Sequence, residues 1–132
     1  MSVSTSCRHR STAGFTLIEL LVVLAIVSTL LLLVAPKYFQ RLEAAREAVL
    51  RDNLRTTREV LDRFYADTGR YPDSLQDLVE KHYLRALPVD PLTESATAWQ
   101  LVPAPEGYKG AVYDIHSNAQ GRARDGTNYA EW

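Results

Sequence analysis

The chain has 132 residues, 46% of them hydrophobic and 23% charged, with a formal net charge of −1. That length allows one small domain, and with neither a basic excess nor interleaved basic and aromatic residues, the composition gives no sign of a nucleic-acid surface. A single cysteine, Cys7, excludes an intramolecular disulfide.

The first segment, MSVSTSCRHRSTAG, is polar and carries Arg8 and Arg10. Positive charge ahead of an apolar run holds that end in the cytoplasm. The run itself, Phe15 to Ala35, is 21 residues interrupted only by Thr16, Glu19, Ser28 and Thr29. As a helix it is about 31 Å long, enough to cross the hydrocarbon core of a bilayer. The remaining chain is too short to wrap all faces of such a helix as a soluble core. A secretory signal peptide has a shorter apolar region followed by a small-residue cleavage site. Here the run ends in VAPKYF, and the small residues Ala13 and Gly14 precede it.

Beyond Pro36 the helical period continues. Leu50, Leu54, Thr57, Leu61 and Phe64 step by four, three, four and three, and Leu42, Ala45 and Val49 extend the stripe upstream. The other faces are charged from Arg41 to Arg63 and read as solvated. Glu47 with Arg51 and Glu59 with Arg63 are favourably spaced, whereas Glu43 with Glu47 and Arg51 with Arg55 repel. One long helix is expected from Phe15 to about Tyr65, kinked or locally melted near Pro36, with Gly69 as its stop. A short second helix follows Pro72, capped by Asp73 or Ser74, with Ser74 to Asp77 as a capping box and Leu75, Leu78 and Val79 buried. After the Pro-punctuated RALPVDPLTES, two strands are expected, Ala98–Val102 and Gly110–Ser117, joined by PAPEGYK as a hairpin.

No catalytic constellation appears. His9, His82 and His116 form no HExxH-like pair, and there is no Gly-rich phosphate loop; an enzyme is not expected. Glu19 is the unusual residue. A carboxylate in a membrane helix is costly and needs a partner, unless it snorkels from near the interface. If the chain were cut after Gly14, Phe15 would carry a free amine one turn before Glu19, on the same helix face and at the positive end of the helix dipole. The carboxylate could then serve its own amine or a neighbouring chain's, where mispairing of charge is penalised.

GFTLIELLVVLAIV resembles the type III signal of type IV pilin-like proteins. The resemblance implies cleavage after Gly14 by prepilin peptidase, methylation of the new amino-terminal Phe15, an assembly role for Glu19 and a helix-breaking role for Pro36. TGRYPDSLQDLVE, LPVDP and YDIHS with a terminal tryptophan are similar to the G-type major pseudopilin of type II secretion. That family implies an α+β fold: a pilin-like lollipop with a long N-terminal helix packed on a short helix and a small antiparallel sheet. The divisions expected are a leader at 1–14, a transmembrane and assembly helix at 15–35, an amphipathic continuation at 36–65 and a periplasmic head at 66–132.

The resemblance also implies a homo-oligomeric filament that drives export. Charged residues from Lys37 to Arg63 would contact neighbouring subunits. Expected partners are minor pseudopilins, prepilin peptidase, an inner-membrane assembly platform and, indirectly, an outer-membrane secretin. The chain would cross the inner membrane once, with its leader cytoplasmic and its head periplasmic. The family's C-terminal calcium loop is depleted here. SNAQGRARDGTNYAEW has Asp125 as the one carboxylate between Ser117 and Tyr129, and Arg122 and Arg124 add positive charge. Ser117, Asn118, Asp125, Asn128 and backbone carbonyls form a poor calcium set. The competing expectation is a loop closed by its own hydrogen bonds, with Tyr129 and Trp132 packed on the domain. Two other functions stay open: a type IV or minor pilin for adhesion, motility or DNA uptake, and a monomeric membrane-anchored periplasmic binding domain. The lack of a second cysteine disfavours a long surface pilin with a disulfide loop.

Overall fold

The computed structural model describes residues 1–2 and 13–132. Cys7, Arg8, His9 and Arg10, on which the leader reading rests, lie outside the described residues. The order of elements is α1 (Leu17–Thr68), α2 (Leu75–Glu80), β1 (Gln100–Val102), β2 (Asp114–His116) and a 3₁₀ turn at Tyr129–Glu131. The fold is α+β, with two units, Met1–Phe39 and Gln40–Trp132.

In the first unit the apolar side chains from Phe15 to Val34 are all exposed. The two mid-run hydroxyls are satisfied within the helix. Ser28 donates to the Leu24 carbonyl at 2.7 Å and Thr29 to the Ala25 carbonyl at 2.8 Å, so neither presents a bare polar group to an apolar medium. α1 runs through Pro36 unbroken, so the melting expected there does not occur. Proline removes only one donor from the ladder, and the flanking turns carry the helix across.

The second unit is organised by the α1 stripe. Leu50, Leu54, Thr57, Leu61 and Phe64 are its buried residues. They pack with Leu75 and Leu78 of α2, with Trp99, and with Val112 and Ile115. The upstream extension of the stripe is not buried: Leu42, Ala45 and Val49 are exposed. The buried stripe begins at Leu50, and the periodicity continues upstream of it without burial.

The end of α1 and the start of α2 are both set by local chemistry. Gly69 takes φ +73°, and its N–H donates to the Tyr65 carbonyl at 2.8 Å, which is a left-handed glycine cap. Ser74 caps α2 in a reciprocal box with Asp77.

The strands pair antiparallel, Gln100 with His116, Leu101 with Ile115 and Val102 with Asp114. They are shorter than expected because the chain before β2 has another partner. Tyr71 N–H donates to Lys109, and Ala111 and Val112 donate to Pro72. Gly110 makes this approach feasible. At φ +113°, a Cβ built on it would lie 2.2 Å from the Tyr71 carbonyl oxygen.

Gly107 also has a positive φ, but nothing lies within 4 Å of its Cβ position. Gly107→Ala should therefore cost only the left-handed strain, about 1 kcal/mol. Gly110→Ala adds a backbone collision, for a total of about 3 kcal/mol. Thermal melts of the two variants in detergent check this; equal shifts would contradict the close packing of Gly110 on Tyr71.

Candidate functional site

Two places carry the residues singled out by sequence, one in each unit. At the start of the apolar run, Gly14 and Phe15 are exposed and precede the helix. The helix begins at Leu17 behind a reciprocal cap. Thr16 Oγ1 accepts the Glu19 N–H at 3.2 Å, and the Glu19 carboxylate accepts the Thr16 N–H at 3.4 Å. This is a capping box, T-x-x-E ahead of an apolar run. Thr16 and Glu19 already carry this spacing in the sequence. Its carboxylate thus has a partner within its own chain, two donors of the first turn are satisfied, and its negative charge sits at the positive end of the helix.

The C-terminal loop closes differently from the calcium expectation. Asp125 Oδ2 accepts Arg51 Nη2 at 2.7 Å, while Oδ1 accepts the Thr127 hydroxyl at 2.6 Å and its N–H at 3.0 Å. The bonds from Thr127, with the guanidinium beside them, draw the Asp125 carboxyl down to about 2. Arg51 also lies over the Trp132 ring, 3.9 Å from its centroid, and Trp132 Nε1 donates to Thr127 Oγ1 at 2.7 Å. One turn earlier on α1, Glu47 accepts the Arg124 N–H and the Tyr129 hydroxyl, each at 2.9 Å. Tyr129 and Trp132 meet edge to face.

The other proposed calcium ligands are dispersed among different partners. Ser117 is fully buried and donates to Asp90 Oδ2 at 2.6 Å. Asn128 Nδ2 donates to Glu131, and Asn118 is exposed. Calcium takes roughly six to eight oxygens, usually with several carboxylates; here the Asp125 carboxylate is engaged by a guanidinium and Thr127. As arranged here, Ser117, Asn118, Asp125 and Asn128 do not converge on one point and do not fit the ion.

Sequence reasoning missed Asp90. It is fully buried, and besides Ser117 it accepts the N–H groups of Leu92 and Thr93. Its own N–H donates to Ser95. LPVDP thus builds a turn that pins the residue after β2. His116 Nδ1 contacts the Trp132 carbonyl, and Arg58 binds Asp114 at 2.6 Å and the Ile115 carbonyl at 2.9 Å. These contacts tie β2 and the chain's last residues to the same core.

Residues 9–35 match the prokaryotic N-terminal methylation motif. The type II secretion system core protein G of Pseudomonas aeruginosa is 33% identical to the chain over 100 residues, covering 64% of this chain and 70% of that one. The protein of the same name from Klebsiella michiganensis is 31% identical over 129 residues, 86% of this chain and 87% of its own. The chain belongs to the type II secretion core protein G family. No solved structure matches it. Family membership agrees with the motif order read from the sequence.

Thr16→Val removes the hydroxyl acceptor of the cap at nearly constant volume. An N-cap of this kind is worth about 1 kcal/mol, so the first-turn amides should exchange about fivefold faster. Hydrogen exchange in detergent micelles measures this, and unchanged exchange at Glu19 would contradict the cap.

Proposed function

We propose that the chain is a precursor cut between Gly14 and Phe15, methylated on the new Phe15 amine, and assembled into a periplasmic pseudopilus that drives protein export. Residues 1–14 are the leader, 15–35 the membrane and assembly helix, 36–65 its amphipathic continuation and 66–132 the head. The leader faces the cytoplasm and the head the periplasm. Prepilin peptidase and an inner-membrane platform process and assemble it, minor pseudopilins join the filament, and the secretin receives the exported protein. The role is structural, and no catalytic step is assigned.

The observation that carries this reading is the methylation motif at residues 9–35 joined to an apolar helix with no partner among the described residues. That surface suits lipid before assembly and neighbouring helices afterwards, since bundling removes it from water. The exposed, non-helical Gly14–Phe15 link is accessible to a peptidase. After the cut, the amine of Phe15 adds a positive charge beside the Thr16–Glu19 cap. The charge of Glu19 is then available for an amine of its own or an adjacent subunit.

Intact mass of the chain recovered from membranes, with and without prepilin peptidase, tests the processing. Loss of Met1 to Gly14 plus one methyl group is expected. An uncut chain, or a cut beyond the apolar run, would sink the reading.

Two substitutions separate capping from charge. Glu19→Gln keeps an acceptor for the Thr16 N–H, whereas Glu19→Ala removes it. Both should insert and be cleaved, and both should fail to assemble with normal efficiency. Normal filaments from Glu19→Gln would show that Glu19 acts through its cap and not through its charge.

A further inference from the structure

The C-terminal loop lies where the family resemblance expects a divalent cation, yet its donors are engaged elsewhere. We infer that Arg51 supplies from within the chain the positive centre that calcium would supply, so that the loop from Gly121 to Trp132 closes without a metal. The inference is independent of whether the chain assembles into a filament.

The first argument is charge. From Ser117 to Tyr129 the chain carries one carboxylate, Asp125, against Arg122 and Arg124. A divalent ion at Asp125 would meet the guanidinium of Arg51 already bonded to that carboxylate. Like charges at that separation repel.

The second argument is geometry. Arg51, Asp125, Thr127 and Trp132 form a closed ring of contacts. Arg51 bonds to Asp125, Asp125 to Thr127 and Thr127 to Trp132, and the Trp132 face returns to Arg51. The guanidinium and the indole use properties that a calcium ion does not match. The planar guanidinium donates in its plane to a carboxylate and stacks through its face on an aromatic ring. A calcium ion would offer only a charge centre, and the indole has no oxygen to give it.

The third argument is the second anchor. Glu47, one turn before Arg51, holds the Arg124 N–H and the Tyr129 hydroxyl. The loop is therefore fixed to α1 by a pair of opposite charges, both acting on the loop. Within the loop, Ala123 N–H donates to Thr127 and Gly126 N–H to Ala123, which completes its closure by hydrogen bonds.

Exposed ion pairs are usually weak, and the Arg51 and Asp125 side chains are about half exposed, at 56% and 47%. The ring and the second anchor are what make this pair consequential. An internal cation also cannot be stripped by a chelator, so the loop should be indifferent to calcium and dependent on Arg51.

Hydrogen exchange of the full chain in detergent, read by mass spectrometry, tests this. Peptides covering 117–132 should exchange at the same rate in excess EGTA and in millimolar calcium chloride. Arg51→Gln should speed exchange there by about fivefold or more in both media, with calcium restoring nothing, while the α2 peptide stays unchanged. Arg51→Lys, which keeps the charge but not the planar fork, should fall between. Slower wild-type loop exchange in calcium would overturn the inference. So would wild-type exchange in Arg51→Gln, or equal acceleration in α2, which would make Arg51 a support of the whole core.

Discussion

One helix must suit two surroundings. From Leu17 to Val34 α1 is apolar on every face, and from Leu50 to Phe64 it is apolar on one. The second unit depends on that narrower stripe. α2, Trp99 and β2 have no large core of their own; each buries its apolar side chain against positions spaced three and four apart on α1. The two-stranded sheet is too small to stand alone. Its register makes sense only because Ile115 points to the helix while Arg58 holds Asp114 beside it. Membership in the core protein G family is thus expressed mostly through one element and what it carries.

The sequence showed the parts that depend on periodicity or local chemistry. The five buried positions of α1, the Gly69 stop and the Ser74–Asp77 box follow from spacing and from residue types with one local use. The misses have a common cause: they depend on partners distant along the chain. Leu42, Ala45 and Val49 keep the helical period, yet spacing alone cannot say where the covering elements begin. Gly110 looked like the start of a strand, but the backbone at Lys109–Val112 is matched to Tyr71 and Pro72. Asp90, in the Pro-punctuated stretch, is a buried acceptor for Ser117.

The charged face of α1 gives the sharper lesson. Glu47 and Arg51 have the spacing of a helical ion pair, yet both turn toward the C-terminal loop. Arg55 instead pairs with Glu59 at 3.3 Å in solvent, and Arg58 reaches β2. Sequence spacing identifies which charges can meet along a helix. It does not rank that meeting against a carboxylate or amide delivered by a loop some seventy residues later. Calcium by resemblance and a self-closed loop were both open, and the depletion of carboxylates was visible. The contact of Arg51 with Asp125 was not, because Arg51 lies on another element.

The two anchors of the loop are four residues apart on a rigid spiral. One grips with a carboxylate and the other with a guanidinium, so they cannot exchange places. If the loop slid along α1 by one residue, each anchor would swing about 100° around the helix axis, and both grips would be lost together. The arrangement therefore works as a key with two unlike teeth: it allows one seating of the chain's last residues against its longest element.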